Sequence, residues 1–174
     1  MSSSALPLNQ LADQCQAAGL TPENVSQIAA ELSRSFGVHD DEVALFKIEQ
    51  AQLKFMHPTK LSTVGMIPLN SNAVVARTAN TKRPEIINNF SQMRHASVFE
   101  SIPVDSKTRT RTPEKSAMVI QKMMTVPVVG PSGVIGVIQV SRKGVTQLSA
   151  GLDFQPSDLQ KLLAAANVLA KCFK

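Results

Sequence analysis

The chain has 174 residues, 43% of them hydrophobic, with a formal net charge of +5 and a sequence pI of about 9.5. One domain of this size buries a core without staples, and no apolar run reaches the roughly 20 residues that cross a bilayer, so no membrane association is expected. The basic residues are spread along the chain and there is no Trp or Tyr, whereas proteins that stack single-stranded bases interleave aromatics with cations; the charge therefore reads as solubility, and no nucleic-acid partner is expected.

The first residues lack the positive n-region and long apolar stretch of a secretory signal, which makes a cytoplasmic location the expectation. Leu8, Leu11, Cys15 and Ala18 recur at helical spacing, and Gly19 offers a stop. The next helix is better marked. Thr21 is a candidate N-cap, Pro22 fits the first helical position and Glu23 complements the dipole. Val25, Ile28, Ala29, Leu32 and Phe36 line one face, and Gly37 ends it. Cys15 and Cys172 both fall on apolar helix faces and read as small core residues.

His39-Asp40-Asp41-Glu42 reads as a solvated turn, because consecutive side chains do not converge on one ion unaided. Val43–Glu49 and Leu53–His57 follow as paired strands. The junction at Glu49-Gln50-Ala51-Gln52 lacks Gly, so its turn type stays unassigned. Asn70-Ser71 reads as a capping pair for a short helix through Ala73, Val74, Arg77 and Thr78. Glu85–Asn88 reads as a short strand, Ser91–Ile102 as a short helix, and the polar stretch Pro103–Ser116 as an exposed, mobile basic loop.

Val119 to Lys143 reads as the central hairpin. Its strands are apolar on both parities, as in a sheet covered on both faces. Gly130-Pro131-Ser132-Gly133 supplies the turn chemistry. Gln121 interrupts the first of these strands, and its amide needs a partner. Pro156 opens the last helix, with Leu159, Leu162, Leu163, Ala166, Leu169 and Phe173 as its stripe and a small Ala-rich face beside it.

Five strings in this order resemble GAF domains: VALFKIEQAQLKFMHP, IPLNSNAVVARTANTKRPEIINNF, RHASVFESI, IQKMMTVPVVGPSGVIGVIQVSRKG and DFQPSDLQKLLAAANVLAK. The resemblance extends over residues from about 24 to 174. The resemblance implies an α+β fold with a central twisted antiparallel sheet, related to PAS domains. The terminal helices lie on one face, and short helices and loops cover a pocket on the other. It divides the chain into an N-terminal helical extension, residues 1–20, and a GAF-like domain, residues 21–174. The pocket rim it implies comprises Arg77, Asn88, Asn89, His95, Phe99, Gln121 and Met123. Arg77 would hold a carboxylate or phosphate, or else pair with Glu; His95 would ligate haem or hydrogen-bond a ligand, or be structural.

The family's ligand residues do not carry over as a set. The bilin-attaching cysteine is absent near Ser116-Ala117-Met118, and the NKFDE pattern of cyclic-nucleotide binders is not assembled. Members that reduce free methionine sulfoxide use several pocket cysteines, and this chain has only Cys15 and Cys172. No Ser-His-Asp, Cys-His or phosphate-loop order is present. The expectation is therefore a non-catalytic sensing or regulatory domain that binds an unidentified small molecule and forms a homodimer through its terminal helices, with no cofactor specified. The alternative is an interaction module whose pocket is filled by its own Met and Phe side chains.

Overall fold

The computed structural model describes residues 8–58, 65–90 and 119–173. The helix expected at Ser91–Ile102 and the basic loop at Pro103–Ser116 lie outside those residues, as do His95 and Phe99. In chain order the elements are α1 (Leu8–Ala18), α2 (Pro22–Phe36), a 3-10 turn (Asp40–Glu42), β1 (Val43–Glu49), β2 (Gln52–His57), β3 (Met66–Pro68), α3 (Val74–Thr81), β4 (Glu85–Ile87), β5 (Val119–Gly130), β6 (Gly133–Gly144), α4 (Pro156–Leu169) and a closing 3-10 turn (Ala170–Cys172). The six strands form one antiparallel sheet in the order β3-β2-β1-β6-β5-β4. This is the α+β arrangement expected. No helix among the described residues is long and apolar enough to cross a membrane.

The local signals work as written for α2. Thr21 accepts a hydrogen bond from the Asn24 amide at 3.2 Å, and Gly37 closes the helix at φ 64°. They fail at α3. Ala73 is its N-cap and makes no side-chain cap bond, while the Ser71 hydroxyl accepts from the Ala73 amide at 3.4 Å. Ser71 therefore shapes the approach to the helix rather than capping it. The β1–β2 junction has Gln50 at φ 53° and Ala51 at φ 62°. Positive φ at both central residues is what a two-residue type I′ turn requires, and Gly or Asn usually supplies it. Here the paired strands impose it on Gln-Ala.

β5 and β6 pair along their length around the two-residue turn Pro131-Ser132, with register shifts beside Gln121 and Ile135. One sheet face carries Val43, Leu45, Met124, Val126, Val128, Ile138 and Val140 against α2 and α4. Each such fully buried aliphatic contributes about 1.5–3 kcal/mol. α1 lies on α2, α4 and the C-terminal turn, adding Leu11, Ala12 and Cys15 to the same core. The opposite face is covered by α3, which sets Ala73, Val75, Ala76 and Ala79 against Phe46, Leu53, Phe55, Ile67 and Val137. Covering on both faces explains why the hairpin strands are apolar on both parities.

Gly136 shows how tightly the helix-side face closes. A Cβ there would lie 2.5 Å from the Phe173 ring and 2.6 Å from the Phe46 carbonyl oxygen. Only the absence of a side chain lets Phe173, near the chain's end, seat on β6.

A buried polar row as the candidate functional site

The α3-side face is not uniformly apolar. Between the α3 cluster and a second cluster of Val74, Ile87, Phe90 and Met123 lies a row of uncharged polar side chains. Thr78 on α3 and Thr125 on β5 are fully buried, and Gln139 and Ser141 on β6 are 4% and 5% exposed. β5 and β6 place Thr125 opposite Gln139 in register, and α3 lowers Thr78 onto them.

The hydrogen bonds run in one direction. The Thr78 hydroxyl donates to the Val74 carbonyl at 3.0 Å, which fixes Thr78 Oγ1 as acceptor in its 2.9 Å contact with Thr125 Oγ1. Thr125, donating there, accepts from Gln139 Nε2 at 3.3 Å. Each hydroxyl gives one bond and takes one. The carboxamide oxygen of Gln139 has no hydrogen-bond partner among the described residues. That oxygen can still accept from a donor, and this is the open end of the row. Ser141, further along β6, donates to the Glu42 carbonyl at 3.3 Å.

The 3-10 turn beside it is less solvated than its composition suggests. Glu42 is 7% exposed; its carboxylate accepts from the amides of His39 at 2.7 Å and Lys143 at 2.6 Å. His57, buried at the end of β2, lies with Nε2 3.1 Å from the Asp40 carbonyl oxygen, while its Nδ1 is buried without a hydrogen-bond partner. Among the described residues no group of three or more His, Cys, Asp or Glu side chains could hold a metal ion.

The residues expected at a pocket rim are dispersed. Arg77 grips Glu85 through two bonds, Nε at 3.1 Å and a terminal nitrogen at 3.2 Å, so its guanidinium ties α3 to β4. Asn88 is bound twice to Phe154: its Nδ2 donates to the Phe154 carbonyl at 3.1 Å, and its Oδ1 accepts from the Phe154 amide at 2.9 Å. The carboxamide thus imitates a strand partner and links the end of β4 to the residues before α4. Asn89 is exposed. Gln121 lies at the bulge of β5, and its Nε2 donates to the Gly144 carbonyl at 2.9 Å. Met123 is 1% exposed within the cluster of Val74, Ile87 and Phe90. Of the five among the described residues, Met123 lies beside the polar row; His95 and Phe99 lie outside them. Sequence reasoning misses the row because it singles out Gln121 alone as the polar residue of the hairpin that needs a partner. Thr125, Gln139 and Ser141 were visible as polar residues in the same two apolar strands, and the hairpin register puts Thr125 across from Gln139.

The segment between β6 and α4 is fastened to the helix-side face by two cations, one of them buried. Lys122 is 5% exposed and contacts Asp153 at 2.8 Å. Arg142 donates to the carbonyls of Leu152 and Phe36 and stacks over the Phe154 ring at 4.5 Å. The two cysteines are distant from the polar row, in the helix-side core. Burial raises both thiols, and it pushes Cys172 up to about 12.

No protein-family model matches the chain, and no curated protein matches it. Solved structures do. The GAF domain of an Acinetobacter phosphoenolpyruvate-protein phosphotransferase superposes with a TM-score of 0.64 at 13% identity, over 95% of this chain and 89% of that one. The free methionine-R-sulfoxide reductase of Neisseria meningitidis, solved with its substrate, gives 0.59 at 16% identity, over 99% and 92%. The GAF-B domain of DevS from Mycobacterium smegmatis gives 0.55 at 16%, over 88% and 93%. The chain has the GAF fold. The expectation that it is not an enzyme is corrected here, because several structures sharing the fold are free methionine-R-sulfoxide reductases. A fold supplies a scaffold, and a few side chains on it decide whether chemistry follows; the missing motifs do not exclude catalysis.

Proposed function

We propose that the chain is a regulatory sensor domain in which a small molecule binds on the α3-side face, over Gln139, Thr125 and Met123. The observation that carries this reading is the open end of the buried polar row. Gln139 is held in place by Thr125 and keeps a carboxamide oxygen for a donor, with apolar walls on both sides. A small number of placed polar groups within an apolar lining is the usual make-up of a ligand site. Sensor and signalling domains among the fold's solved members support the same reading.

Occupancy would pass to the helices through Asn88. β4 pairs with β5 at Met123, and Asn88 at the end of β4 is locked to Phe154, two residues before α4. A ligand that displaces β5 or β4 therefore pulls on the start of α4. The terminal helices join two copies, so that the shift is read as a change in the dimer. Thermal-shift screening of the full chain against a panel of small metabolites tests this. Compounds that stabilise the wild type and leave Gln139→Leu unmoved are expected; a panel in which every hit acts equally on both proteins contradicts it.

The packing of Met123 among Val74, Ile87, Phe90 and Ile120 favours a second reading, an interaction module whose interior is filled by its own side chains. In that case hits are absent, and the full chain is still a dimer by light scattering.

A further inference from the structure

A second open acceptor lies level with the polar row. On β2 the buried residues alternate as Leu53, Phe55 and His57. The first two belong to the α3-side cluster, while Met56 between them packs on the helix side, so His57 shares the α3-side face. β1 runs between β2 and β6, and its Leu45 pairs with His57 on one side and with Ile138 on the other. His57 is therefore two strand spacings, about 10 Å, across the sheet from the residue next to Gln139. It is 6% exposed. Its Nε2 meets the Asp40 carbonyl oxygen, which can only accept, so Nε2 carries the hydrogen. In the neutral ring Nδ1 is then a bare lone pair, buried and without a partner.

We propose that the ligand of the α3-side face is an N–H donor, an amine or amidine carried on an apolar body, and not a carboxylate or phosphate. The proposal rests on the ligand reading above and names the chemical class that the site takes. Three lone pairs are open there. Gln139 Nε2 is turned to Thr125, leaving Oε1; Ser141 directs its hydrogen to the Glu42 carbonyl, leaving its oxygen to accept; and His57 offers Nδ1. None of these atoms has a hydrogen-bond donor among the described residues. A ligand with several N–H groups meets such a set, whereas a carboxylate or phosphate would give up its hydration to face lone pairs.

The charges on this face favour the same class. The Asp40 carboxylate lies 3.3 Å from His57 Nε2, and the buried Glu42 carboxylate, next to Ser141, has two backbone amides as its partners. Both attract a cation and repel an anion. The neighbouring cations are engaged elsewhere. Lys143 Nζ donates to the Asp41 carbonyl at 3.2 Å, and Arg77, the residue expected to hold a carboxylate or phosphate, is gripped by Glu85. Between the strands of His57 and Gln139, β1 turns Ala44 and Phe46 to the α3 side, with Phe55 and Val137 paired to Phe46. That apolar strip suits an aromatic body.

Benzamidine and benzylamine serve as donor probes, and benzoate and phenyl phosphate as anions of similar size. Each is titrated into the full, isotope-labelled chain at pH 8, above the ordinary histidine value, and followed by NMR. Both donors are expected to bind, and the His57 Nδ1 resonance of the wild type should shift as its lone pair accepts a hydrogen bond. Gln139→Leu should weaken benzamidine about tenfold, the contribution of one charge-assisted bond, and the anions should leave the protein unmoved. Where Gln139→Leu does not fold, the Nδ1 shift in the wild type decides alone. The proposal is overturned if the anions bind as well as the donors, if benzamidine binds without moving Nδ1, or if none of the probes binds. Its failure is separable from that of the ligand reading: an anionic metabolite that stabilises the wild type but not Gln139→Leu keeps the site and removes the donor class, whereas benzamidine binding equally to a folded Gln139→Leu removes both.

Discussion

The directed hydrogen bonds of the polar row make its central residue the sensitive one. Thr125 both donates to Thr78 and accepts from Gln139. Thr125→Val keeps the shape but leaves two buried groups short of a partner, each costing about 1–3 kcal/mol. We expect about 2–4 kcal/mol of destabilisation in urea unfolding. Thr78→Val combined with Thr125→Val should cost less than the two single changes summed, because they break one shared bond; additive losses would show that the row is not a unit. At the thiols the prediction concerns pH. The folded state raises both cysteines, so their burial stabilises fully below the ordinary thiol value near 8.5 and progressively less as pH rises toward about 12, where Cys172 itself titrates in the fold. Urea midpoints should therefore fall between pH 8 and pH 10.5, and less steeply in Cys172→Ala. Little of this was legible beforehand. A polar residue within an apolar strand can be spotted, as Gln121 was, but whether its partner is a ligand or a carbonyl depends on register. The bulge at Gln121 turns its amide onto Gly144, while the regular register at Gln139 leaves it facing α3.

At the scale of elements, the hairpin, the cap and stop of α2, and the final helix were all legible, because each depends on residues near in sequence. The β1–β2 turn was not. Its positive φ values at Gln50 and Ala51 are imposed by pairing of the flanking strands, which no local residue announces. Replacing Gln50-Ala51 with Asn-Gly should stabilise the protein by about 1 kcal/mol, since a left-handed conformation costs an ordinary L-residue about 1–2 kcal/mol; an unchanged urea midpoint would mean that the turn is unstrained. The reverse applies at Gly136. A Cβ there meets the Phe173 ring and the Phe46 carbonyl, and a backbone oxygen cannot step aside. Gly136→Ala should cost about 3 kcal/mol or more and release the C-terminal turn, seen as faster amide exchange at Ala170–Phe173. The link from Asn88 to Phe154 joins the two sheet faces. It was expected only as a rim residue, because a partner 66 positions away leaves no mark in local sequence.

For the whole molecule, the sheet divides labour between its faces. One carries the terminal helices and the cysteine pair, and the other carries α3 and the polar row. Asn88 links the two through its pair of hydrogen bonds to Phe154. This division was legible from apolar residues on both strand parities; the chemistry of the second face was not, because it arises from four residues on three elements. Native mass spectrometry of the purified full chain tests the central claim most directly. The account predicts a species of two chains, each of 18.7 kDa, retaining a small molecule that is lost in Gln139→Leu while the dimer persists. Bare chains in every charge state of the wild type, with no mass retained that depends on Gln139, would contradict it.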